Sequence, residues 1–415
     1  MRKTIVVVSA TLLLSSTALA GVNDKAQSFT EAFSNGTPSG QIRLGYILLT
    51  PDANEEKATY DLALGGQLKF ETAPLAGVSL GAAFYTSHSL LQPDDEDFND
   101  ELSSSDQHYD LLAEAYLNYE LQGFTFRAGR QLIDTPFADS DDIRMTPHTF
   151  EALVAGYEWK DFSVQAGYLS AWQGVDAGYH DNADFADMIS GSDDTWMFGL
   201  GYSSDLLETT VWYYSVADVV NAFYGEIMVP IELADDLSLT FGAQVSIQSD
   251  ETDLQTYAET GARVEGSLYG VMAELSFSGI TAGVAYNYAS IDEGELLFGG
   301  FGGGPFFTNI DTLVANEFAA GQDAESYILS ITYDLSDVGI KGLCVGYTYG
   351  NYQGGAEPLD SAANAEVTEH DFYLEYTLSD AWSVDAVYVV SDDKEHSETT
   401  EWDYDRAQAR VNFHF

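Results

Sequence analysis

The thirteen residues Asp403-Tyr404-Asp405-Arg406-Ala407-Gln408-Ala409-Arg410-Val411-Asn412-Phe413-His414-Phe415 alternate strictly towards the end of the chain. Val411, Phe413 and Phe415 share one face of an extended strand; Arg406, Gln408, Arg410, Asn412 and His414 share the other, because successive side chains of a strand point to opposite sides. The first alternating stretch repeats the pattern, with Ile42, Leu44, Tyr46 and Leu48 opposed to Gln41, Arg43 and Gly45. In the second, Leu62, Leu64, Leu68 and Phe70 oppose Asp61, Gln67, Lys69 and Glu71. An apolar face backed by an ionisable one, repeated from strand to strand, implies a barrel with an apolar exterior and a wet interior. That is the inverse of a soluble barrel.

Outward from that stretch, the sequence divides into about eighteen such segments of ~10 residues. They lie near 41–49, 60–72, 78–87, 109–121, 124–132, 149–159, 162–172, 195–203, 208–216, 222–233, 237–249, 263–278, 280–291, 326–335, 340–352, 370–378, 382–390 and 403–415. Their connections alternate. Tight ones carry Gln122-Gly123, Lys160-Asp161, Ser204-Asp205, Ala234-Asp235-Asp236, Ser278-Gly279, Ser336-Asp337 and Ser379-Asp380. Long ones span 90–108, 174–194, 292–324 and 354–369, with the short 217–221 connection as an exception. Short turns at one rim and long loops at the other predict an all-β transmembrane antiparallel barrel with periplasmic turns and extracellular loops. Tyr119, Trp159, Phe277, Tyr333, Tyr376 and Trp382 near segment ends suit interfacial girdles.

At the other end, Met1-Arg2-Lys3, an apolar run from Ile5 to Leu14 and Ala18-Leu19-Ala20 read as a cleaved secretory leader over residues 1–20. A short periplasmic segment, 21–40, and a single pore domain, 41–415, would follow. No stretch offers the ~18 apolar residues of a membrane helix. The single cysteine, Cys344, excludes an intramolecular disulfide and reads as a small packed hydrophobe. Sixty-seven Asp and Glu against 15 Lys and Arg give a net charge of -52. Such a chain is unsuited to nucleic acid and attracts cations.

The few bases are therefore informative. Arg43, Lys69, Arg127, Arg406 and Arg410 all take the polar phase, four of them on the first, second and last strands, which become neighbours on closure. One basic stripe down a lumen wall is expected, faced across the lumen by Glu114, Glu120, Glu226, Glu274, Asp334, Glu375 and Asp385, the last two near the seam. The loop near 133–148, broken from the ladder by Pro136 and Pro147, reads as an inward constriction carrying Asp139, Asp141, Asp142 and Arg144. The run Phe298-Gly299-Gly300-Phe301-Gly302-Gly303-Gly304-Pro305 lacks the lysine and strand–helix setting of a phosphate loop and reads as a flexible or folded-in loop. Asp94, Asp95, Glu96, Asp97, Asp100 and Glu101 lack the spacing of a calcium loop and read as a solvated loop face, with weak divalent-cation binding as the lesser reading. No metal site, cofactor or catalytic group is expected.

Thr135-Pro136, Arg144, Pro147 and Thr149-Phe150 resemble the constriction-loop signature of OprD-type outer-membrane porins. Ser28-Phe29-Thr30-Glu31-Ala32-Phe33 followed by Gly40-Gln41-Ile42-Arg43 is also similar to that family, especially its members from Campylobacter-like bacteria. The resemblance implies a partly selective channel for amino acids, peptides or small carboxylates, set in lipid and lipopolysaccharide of a Gram-negative outer membrane. It also implies either a monomer or a homotrimer, and terminal Phe415 after His414 resembles the C-terminal signature read by the barrel-assembly machinery. The extreme acidity departs from an anion-preferring pattern. The rival classes are a barrel enzyme of lipase or protease type, for which no rim Ser/His cluster can be assembled, and a plugged structural or adhesin barrel. A transporter with a plug domain is disfavoured by strands that begin near Gln41.

Overall fold

The computed structural model describes residues 26–52, 57–177, 184–189, 192, 194–251, 262–355, 357, 359, 363–395 and 402–415. The expected leader, 1–20, lies outside them.

Nineteen strands form one sheet, of which Ala186–Asp187 is a two-residue strip laid on a longer neighbour. The other eighteen pair antiparallel in chain order and close on themselves. We number them β1 (Thr37–Pro51), β2 (Thr59–Glu71), β3 (Val78–Ser89), β4 (His108–Leu121), β5 (Phe124–Gln131) and β6 (Thr149–Trp159). Next come β7 (Phe162–Gln173), β8 (Thr195–Ser203), β9 (Glu208–Val216), β10 (Val220–Ala234), β11 (Leu237–Asp250) and β12 (Gly266–Phe277). The last are β13 (Ile280–Ser290), β14 (Ala324–Asp334), β15 (Leu343–Gly355), β16 (Asn364–Ser379), β17 (Trp382–Asp393) and β18 (Tyr404–His414). A short helix, α1 (Phe29–Ser34), precedes them; Ser28 caps it by accepting from the Glu31 amide.

Closure satisfies every edge, the requirement for crossing hydrocarbon. It is completed by Phe415, whose amide and carbonyl both pair with Gly40 at 3.1 Å. At the short-turn rim, Gln122-Gly123 and Ser278-Gly279 all adopt positive φ, the backbone of a type I′ hairpin. The exception between β9 and β10 is real: only residues 217–219 separate the strands, with Asp218 left-handed.

The alternation runs as expected. Ile42, Leu44, Leu64, Leu68 and Val411 are exposed, whereas Gln41, Arg43, Asp61, Arg406, Gln408 and Asn412 are buried. The largest buried cluster fills part of the lumen. It joins wall residues such as Trp212, Tyr214 and Tyr224 to Phe137 of the loop L3 (132–148) and to Phe298, Phe301 and Phe306 of L7 (291–323).

Candidate functional site: the constriction

β1 and β18 bring three arginines onto one patch of wall, since Arg43 lies opposite Asn412 and Gly45 opposite Arg410 in the ladder. The tip of L3 crosses the lumen to meet them. Arg43 forks onto Asp142, Nη1 to Oδ1 at 2.6 Å and Nη2 to Oδ2 at 2.8 Å, and Nη1 also donates to the Arg144 carbonyl at 2.7 Å. Arg410 donates to the carbonyls of Asp142 and Arg144 at 2.5 and 3.0 Å, and Gln408 to that of Ile143 at 2.8 Å. Such fork-shaped pairing fixes geometry as well as charge. Gly45 makes room: a Cβ there would stand 2.6 Å from the Met145 sulfur.

Two further loops converge on this point. From L2 (90–107), Glu101 accepts from Arg144 Nε at 2.5 Å and from Arg406 Nη2 at 3.5 Å. From L7, Asp311 accepts from Arg406 Nη1 at 2.5 Å. Burial opposes the charge of Glu101, but Arg144 and Arg406 outweigh it and hold the carboxyl at about 2. On the wall, Asp385 takes Arg410 Nε at 2.5 Å. Four guanidiniums thus meet four carboxylates.

Exposure is uneven between the two signs. The Asp142 and Asp385 side chains are 40% and 27% exposed, whereas those of Arg43 and Arg406 are each 3%. The face left open to a solute is carboxylate, with the cations beneath it.

L3 and L7 are also bound to each other. Ala138 pairs with Phe301 as a short parallel bridge, and Phe137 packs edge-on to Tyr214, Tyr224 and Phe306. Asp139 donates its amide to the Phe301 carbonyl at 2.9 Å. Burial first, and then Asp141 and Asp134, push its carboxyl up to about 7. Burial likewise raises Asp141. L7 is pinned to β16 as well: Thr312 donates to Glu369 through its amide at 3.1 Å and through its hydroxyl. The glycine-rich run is therefore the folded-in alternative rather than a free loop.

The expected single basic stripe is two groups. Lys69 and Arg127 stand apart from the arginine patch, around Tyr116: Lys69 Nζ is 5.4 Å and the Arg127 guanidinium 4.6 Å from the ring centre. Arg43 and Arg406 do not line open space; the inward loops bury them, because a dehydrated guanidinium is retained only where carboxylates and carbonyls surround it. The acids do not all stand opposite. Glu114 binds Lys69 at 2.7 Å and Asp385 binds Arg410, each beside its base. Glu375 is level with Asp385 on the next strand. Glu120 and Asp334 sit at the short-turn rim, Asp334 accepting from the Ser336 amide. Only Glu226 on β10 and Glu274 on β12 lie across the barrel from β1; the Tyr224 hydroxyl donates to Glu226 at 2.7 Å. The acidic run of L2 also differs from expectation, since Glu101 is inward and ion-paired rather than solvated. Sequence reasoning missed Glu101 and Asp311 as partners of the arginines. Among the described residues, no three His, Cys, Asp or Glu side chains converge on a point that could hold a metal.

Comparison with known proteins agrees with this geometry. The family profile described as "OprD: outer membrane porin, OprD family" matches residues 77–411. A search of curated proteins finds no match. Among solved structures, Pseudomonas aeruginosa OpdK with vanillate superposes with a TM-score of 0.77 at 17% identity, covering 92% of this chain and 99% of that one. Acinetobacter baumannii OccAB2 gives 0.75 at 18%, covering 93% and 99%. Pseudomonas aeruginosa OpdQ gives 0.74 at 18%, again covering 93% and 99%. With the profile spanning most of a closed eighteen-strand barrel whose loops narrow its lumen, the chain belongs to the OprD family, the outer-membrane porins that pass small solutes across the outer membrane of Gram-negative bacteria.

Proposed function

We propose that this porin is a passive, cation-attracting channel whose selectivity is set where L2, L3 and L7 meet the β1–β18 wall. The carrying observation is the uneven exposure of the ion pairs: Asp142 and Asp385 are open, while Arg43 and Arg406 are covered. A solute at the constriction meets carboxylate edges first. Cations and the ammonium groups of amino acids or peptides are favoured there, and a small carboxylate passes only by exchanging with an acid on Arg410 or Arg144. Several modest contacts permit both entry and exit, as conduction requires. Lys69 and Arg127 form a second, lower group that a carboxylate meets beside Tyr116. We assign no catalytic role, because each acid of the constriction is matched with a guanidinium rather than with a nucleophile and base.

The test is the reversal potential of the purified protein in a planar bilayer under a KCl gradient. Potassium should be preferred over chloride, and Asp142→Asn with Asp385→Asn should lower that preference several-fold. Anion preference in the wild type, or a ratio indifferent to both substitutions, would remove the reading.

A further inference from the structure

Five of the six bases on the eighteen strands face the lumen; the sixth, Arg130, faces outward. Its ladder partners are Ala115 and Glu151. Two residues along, on the same face, lie the exposed Leu117 and Leu153. Nε donates to Glu151 at 2.8 Å and Nη1 to the Leu112 carbonyl at 3.0 Å, and the guanidinium lies 4.2 Å above the ring of Phe185. Nη2 makes no hydrogen bond among the described residues.

Around this ion pair the outer wall is not flat. The ladder shifts register beside Ala83 and Phe84, and again beside Glu151 and Ala152, each shift a bulge that bends the sheet. Between them lies an outward-opening groove of about 420 Å³ lined by Leu112, Ala115, Leu153, Tyr168 and Ser170 beside Arg130.

The height of the groove is set by its neighbours. One ladder pair towards the turns stands Tyr168, opposite Leu153, and beside it the exposed Trp196, as at an interfacial girdle. Towards the long loops the outward face turns polar at once, with His88 on β3, Asp110 on β4 and Asp194 accepting from Tyr168 at 2.5 Å. Arg130 therefore sits at the outer-leaflet headgroup boundary, with apolar wall immediately beneath it.

From this placement we infer that the β4–β7 groove binds a phosphorylated, multiply acylated lipid of the outer leaflet, of the lipid A class. A phosphate is held by Arg130 and an acyl chain lies along Leu112 and Leu153. The inference rests on the outer-membrane location of the porin but not on its ion selectivity. The occupant follows from charge and shape together. On a chain of net charge -52, a lipid phosphate finds one outward guanidinium on the strands, and arginine forks onto phosphate with its free edge. A second copy would have to bring its own acid to a face already carrying Glu151.

The experiment is native mass spectrometry of detergent-purified porin incubated with lipid A, and in parallel with its fully dephosphorylated form. Single-channel conductance is recorded on the same samples, so that failure here is separate from failure of the channel reading. Wild type should retain lipid A, Arg130→Gln should retain at least five-fold less, and Glu151→Gln should retain as much or more. The dephosphorylated lipid should be lost from all three. Leu153→Trp, which fills the groove and leaves the charge intact, should also lose lipid, and it decides the matter if Arg130→Gln fails to fold by heat-shift on a gel. Equal retention by wild type and Leu153→Trp, equal binding of the dephosphorylated lipid, or a wild-type dimer that Arg130→Gln converts to monomer would overturn the inference, the last by assigning the groove to a second copy.

Discussion

Two carboxyls of the inward loops respond to opposite forces. Glu101 is held at about 2 by Arg144 and Arg406 in spite of burial, so it stays charged and paired through the whole physiological range. Asp139 is raised to about 7, chiefly by burial and then by Asp141 and Asp134. A carboxyl with a folded pKa above its unfolded value favours the protonated folded form. Its contribution to docking is fully present below about 4, the unfolded range, and is lost as pH rises through 7. The L3–L7 contact is therefore expected to be tighter at pH 5 than at pH 8, with amide exchange in residues 133–142 rising several-fold between them after correction for intrinsic rate. Asp139→Asn should flatten that dependence. Exchange in the variant that still rises with pH would show that another group governs it.

At the scale of elements, L3 and L7 act as one body because Phe137 is the knob for both. It is wholly buried against Phe298 and Phe306 of L7 and against Tyr214 and Tyr224 of the wall. Truncating a phenylalanine so placed costs about 3–5 kcal/mol in a core. Here that loss falls on loop docking, because the strand ladder does not pass through it. Phe137→Ala should leave the thermal unfolding of the barrel within a few degrees of wild type. It should render both loops cleavable by added protease, and cleavage of L3 alone would separate the two. The strands that frame these loops were legible from the alternation of Arg406 to Phe415 and its counterparts, since one period of two decides both the element and its face. The docking of the loops was not. Pro136 and Pro147 marked L3 as irregular, but a loop has no period, so nothing in Asp94–Glu101 distinguished the inward Glu101 from its solvated neighbours. The glycine-rich run concealed its burial for a related reason. Gly302 has positive φ and a Cβ there would stand 2.4 Å from the Asp139 carbonyl, so glycine was serving a close approach that only the partner loop reveals. The lumen phase of Arg43 and Arg406 was readable, but their burial depended on those same loops.

For the whole molecule, the net charge of -52 acts together with the arrangement at the constriction. A field from distant carboxylates is screened over a Debye length of about 10 Å at 0.1 M salt and about 3 Å at 1 M. The contact charges of Asp142 and Asp385 stand within the narrow part itself and are screened far less. The cation preference should accordingly have two components: one from the loops and mouths, which fades as KCl is raised from 0.1 to 1 M, and a residue that persists. Reversal potentials across that series, at a fixed concentration ratio, should fall towards a plateau on the cation side of zero. In the Asp142→Asn, Asp385→Asn protein the same series should fall nearly to zero, because only the screened component is left. A wild-type curve that reaches zero by 1 M would place all selectivity in the mouths and leave the constriction acids as clamps for the loops. A variant curve that still ends on the wild-type plateau would assign the persistent part to acids elsewhere on the wall, with Glu226 and Glu274 on the far side as the next pair to neutralise.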